Sequence, residues 1–269
     1  MGERMPADRE IDVTTPSVAR MYDWLLGGTD NYASDRDACE SLLKIAPSSK
    51  DLALTNRAFL RRVVHFLAQE RGIRQFLDHG SGLPTRDNAH QVAQRAHSDA
   101  RVVYVDNDPI VLAHGRTMLE ENAQTAVLCA DMCDTDLIFD HPDTRRLIND
   151  NEPTAALFVS VLHCLPDRDD PAALLRRVAQ RLAPGSYLVV CQLVSDDEDV
   201  RRGVTDLMAA ATGGHWGRVR SKAEVTAFLE GWELLEPGLV EVSTWRPDSD
   251  LTVWRSGNEW EEWGGVVAL

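Results

Sequence analysis

Residues 76–85, with the sequence FLDHGSGLPT, constrain the fold more than any other stretch of the chain. A short apolar run leads into an aspartate and two glycines, and a helix-like segment follows. Only glycine lets a backbone turn tightly and approach a bound ligand without a side chain in the way. The stretch therefore predicts a strand–turn–helix junction at a ligand site, of the kind that many nucleotide-binding folds contain.

Strand-like and helix-like segments alternate from Ile73 onward, which predicts a parallel, doubly wound α/β sheet. The predicted strands are 73–78, 101–106, 125–130, 155–161, 187–193, 239–245 and 263–269. The predicted helices are 85–96, 109–121, 170–182 and 221–231. Residues 133–152 are polar and predict a loop with one short helix. Residues 195–220 are charged and then rich in glycine, which predicts a mobile excursion over a site.

Helical patterns precede the first strand. Thr15 and Pro16 are typical of a helix start, and apolar residues at helical spacing continue to Leu26, where two glycines end the run. Two further helices are predicted, one after Ser34 and one over 55–69. The predicted organisation is a disordered leader over 1–13, an N-terminal helical extension or lid over 14–70, and a ligand-binding domain over 71–269.

Three aspartates follow or end successive predicted strands, at Asp78, Asp106 and Asp131. In sheets of this kind, ligands bind beyond the carboxyl ends of the strands. A carboxylate at Asp106 can accept from both hydroxyls of a ribose, and one at Asp131 can accept from an adenine amino group, with Met132 packed on the ring. Three acids suit a cationic adenosyl ligand, so the pattern indicates S-adenosylmethionine (SAM).

A dinucleotide such as NAD is the alternative ligand. A dinucleotide site places the pyrophosphate at a helix N-terminus and uses a third glycine for close helix packing. Pro84 stands at that third position, and a pyrophosphate gains nothing from the additional acid at Asp131. The residues therefore favour SAM over NAD.

Several motifs resemble a bacterial SAM-dependent methyltransferase family that carries a "YDYLLGGKDN"-type N-terminal motif. They are PSVARMYDWLLGGTDNY at 16–32, FLDHGSGLPT at 76–85, YVDNDP at 104–109 and GGV at 264–266. The resemblance implies a Rossmann-like class I methyltransferase, with a seven-stranded, mostly parallel sheet whose last strand is antiparallel and with helices on both faces. Pro84 departs from the general class I pattern but is usual within this family. The resemblance implies no particular methyl acceptor.

The candidate cofactor site follows from these motifs. We expect Arg20, Tyr22, Gly28 and Asn31 to close the methionine end of the pocket, although Tyr22 and Trp24 could instead form the core face of their helix. The other predicted cofactor-binding residues are Asp78, His79, Gly80, Ser81, Gly82, Asp106, Asn107, Asp131, Met132 and Ser160.

His163 follows the fourth predicted strand and is the candidate catalytic base. Methyl transfer from a sulfonium needs a base only if the acceptor is protonated, and histidine titrates in the useful range. The alternative is that His163 only hydrogen-bonds backbone or water in its loop. No cysteine or histidine spacing predicts a metal site.

Composition excludes some partners. The net charge of −15 and the absence of a basic stripe argue against nucleic acid as substrate. The sequence contains neither a signal peptide nor an apolar run of membrane-spanning length. Its five cysteines are odd in number and form no C-x-x-C motif, which is typical of a reducing compartment, so a cytoplasmic location is predicted. Trp254, Trp260 and Trp263 could pack against a sheet edge or against a second copy in a homodimer.

The predicted function is therefore SAM-dependent methylation of a small molecule at oxygen or nitrogen, in specialised metabolism. The same cofactor motifs also fit transfer of the aminocarboxypropyl arm of SAM, or a cyclisation. They fit a SAM-binding regulatory protein without turnover as well, because recognition of a cofactor does not prove catalysis.

Overall fold

The computed structural model describes residues 12–85, 87–118, 122–247 and 259–269. The predicted leader over 1–13 lies outside the described residues except for its last two positions, and so does Trp254. None of the helices in these described ranges combines the length and the apolar content needed to cross a bilayer.

Three helices form the N-terminal extension: α1 (Val18–Leu25), α2 (Ala33–Ile45) and α3 (Ser49–Arg71). Helix α3 buries one face through residues at helical spacing, including Phe59, Val63 and Phe66. It ends at Gly72, whose φ of +69° is a left-handed conformation that glycine adopts without steric cost. The extension thus presents one long packed helix to the sheet.

The sheet contains five parallel strands followed by antiparallel ones. The strands are β1 (Gln75–His79), β2 (Arg101–Asp106), β3 (Thr125–Cys129), β4 (Ala155–Val159), β5 (Tyr187–Val194), β6 (Glu233–Leu234), β7 (Val240–Glu241) and β8 (Glu261–Ala268). Their order is β3-β2-β1-β4-β5-β8-β6, with β7 also paired to β8. Strand β8 runs antiparallel to β5. The predicted Rossmann-like class I fold is confirmed, and β6 and β7 are two-residue strands.

Helices cover both faces of the sheet. They are α4 (Ala89–Ala96), α5 (Pro109–Met118), α6 (Thr135–Asp140), α7 (Pro142–Leu147), α8 (Pro171–Arg181), α9 (Glu198–Ala211) and α10 (Lys222–Phe228). Successive strand residues point to opposite faces, and in β1 Phe76 packs with the α3 and α4 side chains while Leu77 packs with those of α6 and α8. Because both faces are buried, the parallel strands are almost continuously apolar.

Three regions differ from the sequence prediction. Residues 133–152 hold two short helices rather than one. The 195–220 segment, predicted as a mobile excursion, contains the 14-residue helix α9, because Asp197 accepts from the N–H groups of Asp199 and Val200 and the apolar positions follow helical spacing. The strand predicted over 239–245 ends after β7 and continues as a short 3₁₀ turn.

Candidate functional site

A cavity of about 1010 Å³ opens at the carboxyl edge of the parallel strands. It lies where the strand order reverses between β1 and β4, the position at which open α/β sheets bind ligands. Residues from α1 and α3 line its other side, so the N-terminal extension covers the strand ends. Its volume is at the upper end of that found for small-molecule sites.

Glycine stands at residues 80 and 82 of the first turn for different structural reasons. Gly80, at φ +69°, donates its N–H to Val105 O at 2.8 Å, and a Cβ atom there would stand 2.2 Å from Val161 Cγ2. Gly82, at φ +65°, donates to Asp106 Oδ2 at 2.8 Å, and a Cβ atom there would meet no atom of the described residues within 4 Å. Packing therefore requires glycine at residue 80, whereas Gly82 leaves open space in the cavity wall.

Two of the predicted carboxylates lie side by side at the centre of this edge. Burial raises the pKa of Asp78 to about 7, with Asp106 adding to the rise and Arg57 opposing it. Burial likewise raises the pKa of Asp106 to about 6, although that carboxylate accepts N–H bonds from Gly82 and Asp108. A cationic ligand with hydroxyl groups would compensate the two carboxylates for their lost hydration. This pair of acceptors therefore fits an adenosyl sulfonium.

The end of β3 supplies the third acid. Asp131 is exposed, lines the cavity, and accepts the N–H of Cys133 on Oδ1 at 2.9 Å. Met132 beside it packs partly against the core, and Asn107 lines the cavity after β2. Ser81 of the glycine turn also lines the cavity. The structure thus brings these four predicted residues to one wall.

Arg20 and Tyr22 of α1 line the cavity, but their polar groups are engaged within the protein. Arg20 forms a buried ion pair with Asp35 at 2.9 Å and donates to the carbonyls of Asp12 and Thr15. The Tyr22 hydroxyl donates to Ala53 O at 3.1 Å and accepts from Asn56 Nδ2 at 2.8 Å, and burial raises its pKa. These contacts hold α1 against α2 and α3.

Replacing Tyr22 with phenylalanine is expected to lower the free energy of unfolding by about 1 kcal/mol, because one hydrogen bond to a carbonyl is lost and an amide loses its acceptor. Urea denaturation measures the change. Tyr187→Phe is the matched control, since no hydrogen bond of that hydroxyl occurs among the described residues. Equal stability of the two variants would contradict the structural role of the Tyr22 hydroxyl.

Three predicted cofactor residues do not line the cavity. Asp23 accepts from Asn31 Nδ2 at 2.9 Å, and a Cβ atom at Gly28 would stand 1.9 Å from Asp23 Oδ1, so both residues build a turn around this carboxylate. His79 is fully buried and stacks on Phe158 with ring centroids 4.3 Å apart. Burial lowers the His79 pKa to about 4, which keeps the ring neutral.

His163 lies in the cavity wall in a state that does not suit a base. Its ring contacts Trp216 with centroids 4.9 Å apart, and its Nδ1 accepts the N–H of Leu193 at 3.3 Å. The neutral ring therefore carries its proton on Nε2 and has no free acceptor nitrogen. Burial, with a contribution from Arg220, lowers the His163 pKa to about 3. Proton acceptance at neutral pH is correspondingly unfavourable.

Sequence reasoning missed Glu262 and Arg57, which both line the cavity. Glu262 is 1% exposed and accepts from Ser160 Oγ at 2.5 Å. Burial raises its pKa to about 7. Its only sequence signal is an acid at an inward-facing position of a strand that ends in apolar residues. Arg57 lies on α3 and donates to Asp87 O at 3.4 Å.

Comparison with known proteins gives concordant matches. The family model described as S-adenosyl methyltransferase matches residues 4–269. A candidate methyltransferase of Thermobifida fusca is 41% identical, covers 96% of each chain and superposes with a TM-score of 0.88. A DUF574 family protein of Streptomyces avermitilis is 36% identical over 96% of this chain and 99% of that chain, with a TM-score of 0.87.

A more distant structure, TnmH, is 16% identical with a TM-score of 0.50 and covers 82% of this chain and 57% of that chain, which supports the fold alone. No curated protein matches the chain.

Proposed function

Because the chain belongs to the S-adenosyl methyltransferase family, and is thus a SAM-dependent methyltransferase, we propose that it methylates a small molecule at oxygen or nitrogen, in specialised metabolism. The observation that carries the proposal is the pair of enclosed carboxylates, Asp78 and Asp106, beside an open glycine turn at the switch point of the sheet. The cavity volume of about 1010 Å³ supports room for an acceptor beside the cofactor.

Asp106 is the proposed ribose anchor. Its oxygens accept N–H groups from Gly82 and Asp108, which fixes the carboxylate plane and leaves further lone pairs for the two hydroxyls. Asp131 and Met132, at the next strand end, are the proposed adenine contacts. The turn at Gly80–Gly82 lets the cofactor approach the backbone.

The methionine end of SAM carries an ammonium group and a carboxylate, so its site needs one negatively and one positively charged side chain. Asp78 is the proposed partner of the ammonium group, and Arg57, which influences the Asp78 carboxyl electrostatically, is the proposed partner of the carboxylate. Arg20 and Tyr22 support this end by holding α1 in place. This arrangement modifies the sequence-based hypothesis, in which Arg20 itself closed the pocket.

Bound SAM supplies a methyl group already activated on a sulfonium, so the contribution of the protein is alignment and exclusion of water. Alignment of two reactants can lower a barrier by roughly 7 kcal/mol or more. Trp216 and Trp260 are buried in the wall of the cavity, and the N-terminal helices cover the strand ends, which supports such an enclosed reaction.

Product analysis tests the proposal. Purified protein is titrated with SAM and S-adenosylhomocysteine by calorimetry and then incubated with SAM and a panel of phenols and amines. Formation of S-adenosylhomocysteine with a methylated acceptor supports methyl transfer. Methylthioadenosine would instead indicate aminocarboxypropyl transfer, and binding without any product would indicate a regulatory role.

SAM binding is expected to strengthen as the pH rises through about 6 and about 7, the raised pKa values of Asp106 and Asp78, and then to level off. Below these values the carboxyls are protonated and neutral in the free protein. A cation favours the ionised form, so binding lowers both pKa values and releases protons. Calorimetry in buffers of different ionisation enthalpy counts these protons.

Asp78→Asn is the control for this pH dependence, since it removes the group with the higher pKa. The variant is expected to release fewer protons and to show a flatter affinity profile. Affinity that does not change with pH in the wild-type protein would contradict a carboxylate cradle for the sulfonium.

A further inference from the structure

Ser160 and Glu262 form a closely coupled pair at the edge of the cavity. Ser160 follows β4 with φ +58°, a left-handed conformation that is uncommon for serine. Its N–H donates to Cys191 O at 2.7 Å and its Oγ donates to Glu262 Oε1 at 2.5 Å. Strain of this kind persists where surrounding contacts impose it, and it concentrates at functional sites.

Glu262 is a buried acid without a cationic partner. It is 1% exposed, and among the residues that the structure describes no lysine, arginine or histidine forms an ion pair with it. Its second oxygen accepts from Cys191 Sγ at 3.0 Å. An unpaired buried carboxyl costs stability. Because Glu262 bears this cost and also lines the cavity, it is a candidate functional residue.

The pair lies on the other side of β1 from the proposed ribose and adenine contacts. Asp106 and Asp131 end or follow β2 and β3 on one side of β1, whereas Ser160 and Glu262 stand at the ends of β4 and β8 on the other side. The wall of the same cavity includes apolar and aromatic side chains, Leu193, Met208, Trp216 and Trp260 among them. Such a surface suits a planar apolar molecule.

We propose that Ser160 and Glu262 relay the proton away from a methyl acceptor that reacts through an acidic hydroxyl, phenolic or enolic in class. The inference rests on the proposed function and names its acceptor class. As the acceptor oxygen bonds to the methyl carbon, the carbon–sulfur bond breaks with its electron pair moving to sulfur. The hydroxyl proton passes to Ser160 Oγ while the Ser160 proton passes to Glu262 Oε1. The glutamic acid then releases its proton to solvent.

The pKa of Glu262 favours phenolic and enolic hydroxyls as acceptors. Burial raises the Glu262 pKa to about 7, so about half of the groups are ionised at neutral pH and most of them above it. A phenol, with a pKa of about 10 or below, gives its proton to such a carboxylate at a much smaller cost than an aliphatic alcohol does. His163 does not compete for the proton, because its Nδ1 is occupied.

Groups on every neighbouring element face Glu262 and bear on its titration. They are the Ser160 hydroxyl and Cys164 after β4, the Cys191 thiol on β5, Glu241 on β7 and Tyr22 on α1. Asn56 on α3 contacts the Cys191 thiol. Of these, only Glu241 carries a carboxyl group, and its charge raises the Glu262 pKa further. The rate of methyl transfer, plotted against pH, is therefore expected to show a single rising limb, which reports the ionisation of Glu262.

The test uses para-nitrophenol, whose anion absorbs visible light, with the protein saturated by S-adenosylhomocysteine. Para-nitroanisole, which lacks the proton, is the matched ligand. The variants are Ser160→Ala and the near-isosteric Glu262→Gln. The control is Glu261→Gln on the same strand, whose carboxylate pairs with Lys222 Nζ at 2.9 Å and does not line the cavity.

We expect both variants to bind para-nitrophenol roughly tenfold more weakly than wild type and Glu261→Gln do, while para-nitroanisole binds all four proteins equally. With SAM, methylation of saturating phenol, whose own pKa of about 10 lies well above that of Glu262, is expected to rise through pH 7 in the wild-type protein. Glu262→Gln is expected to lose that rise at unchanged SAM affinity. These results would establish the relay rather than a structural role.

Equal affinity of the four proteins for para-nitrophenol, no binding of it to wild type, or a rate profile that Glu262→Gln leaves unchanged would overturn the relay. Such an outcome with normal SAM binding leaves the proposed methyl transfer standing. Failure of wild type to bind SAM would instead remove the proposed function itself, so the two failures are distinguishable.

Discussion

Asp106→Ala is expected to weaken SAM binding at least roughly a hundredfold, because two hydroxyl hydrogen bonds to a charged acceptor are lost. The carboxylate is also the acceptor for the N–H groups of Gly82 and Asp108, so its removal frees the glycine turn as well as the ribose contact. Calorimetric titration with SAM and with S-adenosylhomocysteine measures the loss for both cofactor forms.

Asp106→Asn separates the two effects, since its amide oxygen can still accept one N–H but carries no charge. We expect this variant to keep wild-type stability and to lose most of its affinity. Asp99→Asn is the matched control; Asp99 pairs with Arg74 at 2.6 Å, immediately before the amino end of β2 and far from the cavity. Wild-type SAM affinity in Asp106→Ala would contradict the proposed ribose anchor.

Replacing each of the two turn glycines with alanine is expected to affect a different property: Gly80→Ala mainly lowers the stability, and Gly82→Ala mainly lowers the affinity for SAM. Gly80→Ala places a methyl group 2.2 Å from Val161 Cγ2 at a left-handed φ of +69°, and these two costs sum to roughly 2 to 5 kcal/mol of unfolding free energy. Gly82→Ala meets no atom within 4 Å in the part of the chain that the structure describes, and it carries only the backbone cost, roughly 1 to 2 kcal/mol. Its methyl group stands where the cofactor must approach, so SAM affinity should fall with little change in stability.

Thermal and urea denaturation measure the first effect, and calorimetry measures the second. The double variant Gly80→Ala/Val161→Ala is the control for the clash, because it removes the methyl groups that the new Cβ atom would meet. It should recover part of the lost stability while the backbone cost persists. If Gly82→Ala bound SAM as tightly as wild type, the cofactor would not pass over this turn.

Local patterns were enough to predict much of the fold and part of the site. The strands were readable because a parallel sheet buried on both faces demands continuous apolar runs, and its ligand edge follows from strand direction alone. Gly80, Gly82, Asp78 and Asp106 were found in this way, since each is adjacent to a strand end that the sequence itself marks.

The N-terminal motif shows where local reasoning stopped. Its residues Gly28 and Asn31 look suited to a ligand turn, but their partner is Asp23 within the same motif. Arg57, in contrast, belongs to an ordinary helical pattern and lines the cavity only because α3 packs across the sheet. A helix pattern specifies which face is apolar but not which neighbour that face meets.

The sequence alone determined the class of the sheet, the glycine turn and the acids at the strand ends, because each depends on residues adjacent along the chain. Only the tertiary structure decided the protonation of His163, which follows from its burial and the N–H of Leu193. It also decided the pairing of Ser160 with Glu262, 102 residues apart, through the antiparallel register of β8 on β5. Which two strands pair, and which of their residues come together, depends on contacts between segments that are far apart in the chain.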